Sequence, residues 1–216
     1  MIQGMVLQSN GPTTFSAGLD IMEMHQPQMD RLRLFWFSFQ ELYFTLYGSR
    51  LACIAAIEGH APAAGCMLAL SCDYRIMAST DIATKCQPKI GLNETKLGIV
   101  APPWLAQQMI DCIGVRQAEL ALSLGTLYTP EEALKIHLVD EVKPLSDVRT
   151  TARNEAQKWG MSIPPQARVA SKLLIRQPHI DKLRATSEQD IDHFAKFITN
   201  PKVQQNIAGY LDMLAK

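Results

Sequence analysis

Leu51-Ala-Cys-Ile-Ala-Ala-Ile-Glu-Gly-His-Ala-Pro-Ala-Ala-Gly-Cys-Met-Leu-Ala-Leu70 is the stretch whose reading decides the fold. Leu51 to Ile57 is a continuous apolar run, bounded by Gly59 and short enough for a parallel strand buried on both faces. Ala63 to Leu70 is apolar and rich in small residues, with Pro62 ahead of it, and predicts a buried helix. A buried strand that turns directly into a buried helix is the repeating unit of an α/β core. The N-terminus of such a helix presents unpaired N–H groups and a partial positive charge, which suits an enolate or phosphate oxygen. The same residues read equally well as tight helix–strand packing. The segment has neither the Lys and Ser/Thr of a phosphate loop nor the glycine spacing of a dinucleotide fingerprint, so nucleotide binding is not expected.

Upstream, Ile2 to Gln8 reads as a short buried strand ending at the turn Ser9-Asn10-Gly11-Pro12. Between about Gln28 and Tyr47, the spacing of Leu32, Phe35, Phe39, Leu42, Phe44 and Leu46 predicts a long helix with a wide apolar face, ended by Gly48. Downstream, Tyr74 to Met77 reads as a strand, and Pro103–Ile113 and Val115–Leu124 as helices punctuated by Gly114 and Gly125. Thr129-Pro-Glu-Glu132 is a strong helix start, with Thr as N-cap, Pro first and Glu three residues after the cap. A strand is expected over Leu138 to Val142, ending at Pro144. Residues 146–216 carry helical periodicity only, with breaks expected at Pro164-Pro165, Pro178 and Pro201. The pattern predicts an α/β core over residues 1–144 and a helical region over residues 145–216.

Bulk properties narrow the function classes. With 216 residues and 47% hydrophobic content the chain can bury a substantial core. Its 21 basic and 21 acidic residues cancel, which leaves no electrostatic case for nucleic acid or an anionic membrane surface. Cys53, Cys66, Cys72, Cys86 and Cys112 are odd in number and never spaced Cys-x-x-Cys. They read as buried thiols of a reducing compartment, not as a disulfide framework or zinc site. No apolar run approaches the roughly 18 residues of a membrane helix, so no membrane span is expected. The N-terminus shows neither a secretory nor an Arg-rich transit segment, and the C-terminal Leu-Ala-Lys is not a peroxisomal address.

Two features carry candidate chemistry. Glu94, in Ile90-Gly-Leu-Asn-Glu-Thr-Lys-Leu-Gly98, is a carboxylate among Ile90, Leu92, Leu97, Ile99 and Val100, which suggest a segment dipping into the core. A partly buried Glu has a raised pKa and serves as a base near neutrality, although most Glu residues are plain surface groups. In Phe15-Ser-Ala-Gly-Leu-Asp20, small residues allow close backbone approach to a ligand. This turn also reads as a strand-to-helix connection capped by Asp20. The other groups offer less. His25, His60, His137, His179 and His193 lie too far apart for a metal ligand set. Ser71, Cys72 and Asp73 lack any nucleophile signature; Cys72 is expected in the core and Asp73 as a structural charge partner. The charged residues of 181–196 read as a solvated helix face.

Taken in order, Phe15-Ser-Ala-Gly-Leu-Asp20, Ala56-Ile-Glu-Gly-His-Ala-Pro-Ala-Ala-Gly-Cys66, Cys72-Asp-Tyr-Arg-Ile76 and Ile90-Gly-Leu-Asn-Glu-Thr95 resemble the crotonase (enoyl-CoA hydratase/isomerase) superfamily, and within it the double-bond isomerases. The resemblance runs from about Ile2 to the C-terminus. It implies a crotonase-like spiral core with a C-terminal helical trimerisation region. It also implies a strand-rich segment and a long helix ahead of the Ile2–Gln8 strand, absent from this chain. The backbone N–H groups of Leu19 and Ala64 would form an oxyanion hole for an acyl thioester. Ala17, Gly18, Leu19, Asp20 and Ile21 would line the coenzyme A and acyl path with Ala64, Asn93 would contact substrate, and Glu94 would be the acid/base. Hydratases of the superfamily carry a second glutamate immediately after the Gly-Cys pair; Met67 stands there. The resemblance therefore implies proton transfer without added water, on an acyl-CoA substrate whose coenzyme A is no separate cofactor, in a homotrimer of the mitochondrial matrix. A catalytically inactive, truncated protein on the same frame, acting as an acyl-CoA binder or assembly partner, and another single-glutamate enzyme of the family are the alternative readings. The family usually has Gly where Ala64 stands, and the link from Ser79 to Lys89 reads as longer than usual.

Overall fold

The computed structural model describes residues 2–11, 13–80 and 87–214. Strands β1 (Gly4–Gln8), β2 (Ala52–Ile57), β4 (Tyr74–Ala78) and β6 (Glu141–Lys143) form a parallel sheet in the order β1-β2-β4-β6. A second, two-stranded parallel sheet pairs β3 (Ala61–Pro62) with β5 (Ile90–Gly91). Parallel neighbours need crossover connections. Helix α1 (Met29–Tyr47) links β1 to β2, α2 (Ala64–Ser71) lies between β3 and β4, and α3 (Pro103–Ile113), α4 (Val115–Leu124) and α5 (Pro130–Lys135) lead to β6. Helices α6 (Leu145–Met161), α7 (Pro165–Ala185), α8 (Ser187–Ile198) and α9 (Pro201–Leu214) complete the described chain, and none of its described helices is long and apolar enough to cross a membrane.

The decisive stretch behaves as its composition dictates. Every residue of β2 is buried. Cys53, Ala55 and Ile57 join the main core with α1 and α2, while Ile54 and Ala56 pack on Val148, Ala152 and Ala156 of α6. Burial on both faces explains why this strand shows no polar alternation. Ahead of α5, Thr129 and Glu132 form a reciprocal capping box with Pro130 at the first helical position. Cys53, Cys66 and Cys72 are buried and Cys112 half-buried; Cys86 and most of the 79–89 link lie outside the described residues.

Four local expectations need correction. Leu32, Phe39, Phe44 and Leu46 of α1 are buried as expected, but Leu42 is 45% exposed, and Trp36, Tyr43 and Tyr47 join the buried face. Spacings of three and four residues select that face, and its tryptophan and tyrosines pack rings there. Leu138 and Val139 are fully buried yet are not strand; both amides bond Ala133 O as the chain folds back after α5, and β6 begins only at Glu141. Pro178 sits inside α7 and does not end it. The carbonyl its missing N–H would have served belongs to Leu174, 81% exposed, where water can replace the bond, while buried Ile180 and Leu183 hold the next turn. The last correction concerns Asp190, which is half-buried and bonded within the structure although it lies in the stretch read as a solvated face.

Asp73 is a charge partner, as expected. Its Oδ2 accepts from Lys172 Nζ at 2.9 Å and from the Cys53 N–H at 2.8 Å, and Arg176 Nη2 lies 3.1 Å from Oδ1. Burial pulls the Lys172 ammonium below its ordinary pKa, and the Asp73 carboxylate counters part of that. Asp73→Ala leaves this ammonium buried without its partner and is expected to cost roughly 3–5 kcal/mol. Urea unfolding measures the loss, and adding Lys172→Met is expected to recover part of it.

Candidate active site

Parallel pairing of β1 with β2 sets up the site. The register Gly4↔Ala52 to Gln8↔Ala56 continues through a bridge between Thr14 and His60. Phe15 and Ser16 N–H both reach His60 O, at 2.9 and 3.2 Å, and His60 N–H returns to Thr13 O at 3.0 Å. The two turns that follow the strands therefore leave the sheet side by side. Their contact requires residues without side chains. A Cβ on Gly65 would stand 2.4 Å from Ser16 O, and one on Gly18, at φ +97°, would meet Ala63 Cβ at 3.3 Å and the Ala64 nitrogen at 3.5 Å. Ala63 adopts φ +50° at the start of α2, a conformation L-residues avoid; its N–H bonds Gly91 O at 2.8 Å and its O accepts from Cys66 and Met67. This arrangement leaves the Leu19 and Ala64 N–H groups with no acceptor among the described residues. Asp20 Oδ1 accepts the Met22 N–H at 2.9 Å, so the capping reading of Asp20 holds alongside its place at the site.

Glu94 opens a single 3-10 turn, Glu94–Leu97, that follows β5 and ends at Gly98 in the left-handed conformation. The turn is tied at its back: Ile99 N–H bonds Glu94 O at 3.2 Å, and Thr95 Oγ donates to Leu122 O of α4 at 3.0 Å. Glu94 is only 8% exposed. Its Oε2 and the Asn93 Oδ1 are buried with no hydrogen-bond partner among the described residues. Burial, countered in part by its own backbone N–H, raises the Glu94 carboxyl from 4.5 to about 7.

These elements enclose a largely apolar cavity of about 510 Å³. It brings together Ala17, Gly18, Leu19, Asp20, Ile21, Ala64, Asn93 and Glu94, the positions that the resemblance implied for the site. Of the two carboxylates among its lining residues, Glu94 is buried and Asp20 is exposed at the surface. Met67 is buried on α2, receives the Ser71 hydroxyl on its sulfur at 3.4 Å and is not part of the lining. The sequence reading missed the opposite wall, built by Trp36 and Phe39 of α1, Phe194 and Phe197 of α8, and Tyr210 and Leu214 of α9. Aromatic spacing marks these residues as apolar, but nothing local says that α8 and α9 fold back over α1.

The comparisons agree with this frame. The Enoyl-CoA hydratase/isomerase family model matches residues 1–215, and the chain belongs to that family. Among its relatives is the mitochondrial enoyl-CoA delta isomerase 1 of Rattus norvegicus, 46% identical over 99% of this chain and 72% of its own length. The corresponding protein of Homo sapiens is 42% identical over 98% of this chain and 68% of its own length. The crystal structure of human mitochondrial delta3-delta2-enoyl-CoA isomerase superposes with a TM-score of 0.93 at 40% identity, covering 99% of this chain and 80% of that one. The fold is thus the crotonase-type α/β fold with C-terminal helices.

Burying an ionisable carboxylate has a thermodynamic signature. With the folded value near 7 above the ordinary 4.5, the folded state binds more protons between those limits. Glu94 therefore subtracts stability as pH rises through that window, fully so above it. Glu94→Gln is expected to raise the unfolding free energy at pH 8 by up to roughly 3 kcal/mol, with the gain fading toward pH 4.5. Unfolding curves of both proteins across this range measure it.

Proposed function

We propose that this protein is an enoyl-CoA delta isomerase, moving a 3-cis or 3-trans double bond of an acyl-CoA to the 2-trans position in β-oxidation of unsaturated fatty acids. The observation that carries the reading is one buried carboxylate, raised to about 7, in an apolar cavity that also holds two turns whose N–H groups have no acceptor among the described residues. In this reading the thioester oxygen lies against the Leu19 and Ala64 N–H groups. The Glu94 carboxylate removes a proton from C2, and the electron pair spreads over C2, C3, C4 and the thioester oxygen as a dienolate. The N–H groups stabilise the charge that develops on that oxygen. Glu94, now a carboxylic acid, delivers the same proton to C4, and the double bond comes to rest between C2 and C3. Proton and electrons balance within the substrate, so no oxidant, water or resident cofactor is required.

A base near pH 7 both accepts and returns a proton efficiently at neutrality. Hydration would need water held and activated by a second carboxylate, and Met67 supplies none. Asn93, beside Glu94 with its own orphaned oxygen, is assigned to substrate contact. The relatives' names support a mitochondrial setting, with the matrix as the proposed compartment. Exposed Met161, Leu174 and Ile175 on α6 and α7 support self-association, with a homotrimer as the proposed assembly.

Purified protein is expected to isomerise 3-enoyl-CoA and to leave trans-2-enoyl-CoA unhydrated. Glu94→Gln is expected to lower kcat by on the order of 10²–10⁴ with little change in KM. Brisk hydration, or a fully active Glu94→Gln variant, would overturn the assignment. Because the base must be ionised in the free enzyme, kcat/KM is expected to climb with pH to a plateau, with its midpoint near 7. An ordinary glutamate would place that midpoint between pH 4 and 5, roughly.

A further inference from the structure

Glu188 and Asp192 on α8 pair with Arg33 at the surface, as a solvated face would. Asp190, between them, does something else. Its Oδ2 accepts from Trp36 Nε1 at 2.7 Å, Gln40 Nε2 at 2.7 Å and Trp104 Nε1 at 3.3 Å. Gln40, fully buried, extends the network by accepting the Ser187 hydroxyl at 2.6 Å. One carboxylate oxygen thus collects three N–H groups from α1 and α3, and no Lys, Arg or His among the described residues forms an ion pair with it. A satisfied, partly buried network of this kind favours one arrangement of the elements it joins.

The arrangement it fixes is a wall of the cavity. Phe194 follows Asp190 by one helical turn and stacks on Trp36, with ring centroids 3.5 Å apart and planes within 10°. Trp36 also meets Phe39 edge-on at 5.3 Å, and Phe39 meets Trp104 at 5.1 Å. Trp36, Phe39 and Phe194 all line the cavity, whereas Asp190 and Gln40 do not. The bond from α8 to the two indoles therefore determines where the rings stand.

We propose that Asp190 is a positioning residue for acyl-chain selection: it latches α8 onto α1 and so holds the Trp36–Phe194 wall against which the distal methylenes of the acyl tail pack. It takes no part in proton transfer, and the inference rests on the acyl-CoA reading of the cavity.

Binding of saturated acyl-CoAs, from butanoyl- to dodecanoyl-CoA, tests the latch by calorimetry without turnover. For the wild type, affinity is expected to rise by up to roughly fourfold per methylene over the part of the series that reaches the wall. Asp190→Leu removes the acceptor and is expected to weaken dodecanoyl-CoA tenfold or more while changing butanoyl-CoA less than twofold. Asp190→Asn retains an oxygen able to accept the same three N–H groups and is expected to restore the increment. Gln40→Leu removes one donor without touching the cavity and is expected to flatten the series to an intermediate degree, which keeps the test available should Asp190→Leu fail to fold. An unchanged increment in these variants, or a loss equal at both ends of the series, overturns the proposal. A wild-type protein that binds none of the series would instead defeat the acyl-CoA reading itself.

Discussion

Two parallel strands in fixed register are the constraint on which the rest of this molecule depends. Because β1 and β2 run the same way and stay paired through Thr14 and His60, their following turns are delivered to one place. Gly65 then lets the start of α2 rest under the Ser16 carbonyl, and Gly18 lets the first turn pass against Ala63 and Ala64. Neither turn is unusual alone. Only the pairing turns them into a joint surface with two N–H groups that have no acceptor among the described residues, and this is backbone chemistry set by the strand register.

Against that rigid donor surface the molecule sets a group it would be more stable without. Glu94 is buried with one oxygen unpartnered among the described residues, on a turn secured through Thr95, Ile99 and Gly98 instead of through its carboxylate. An ion pair would have offset the burial and drawn the pKa back toward the ordinary range. Asp73 shows the contrasting solution, since its buried charge is met by Lys172, Arg176 and a backbone N–H. One carboxylate is paired and the other is left without a partner among the described residues, and the difference lies in what surrounds each.

Much of this was legible in the sequence where local chemistry decides. The capping box at Thr129 and Glu132, the all-buried β2 and the turns ending at Asp20 and Gly65 are short-range signals, while the site positions that line one cavity came from the family resemblance. Legibility failed where tertiary packing overrides a local preference. Pro178 stays helical because its turn is anchored downstream, and Leu138 and Val139 gain burial without strand pairing. Asp190 carries no local mark that separates it from Glu188 or Asp192, because its partners Trp36 and Gln40 are about 150 residues away. The far wall of the cavity was invisible for the same reason.

That wall has a temporal meaning as well. Residues 17–21 and 93–94 supply the polar side of the cavity, but Phe194, Phe197, Tyr210 and Leu214 come from the last helices. During synthesis the chain emerges N-terminus first. The groove along Trp36 and Phe39 is therefore open, apolar and exposed until α8 and α9 arrive. The docking of α8 and α9 covers that groove and completes the cavity.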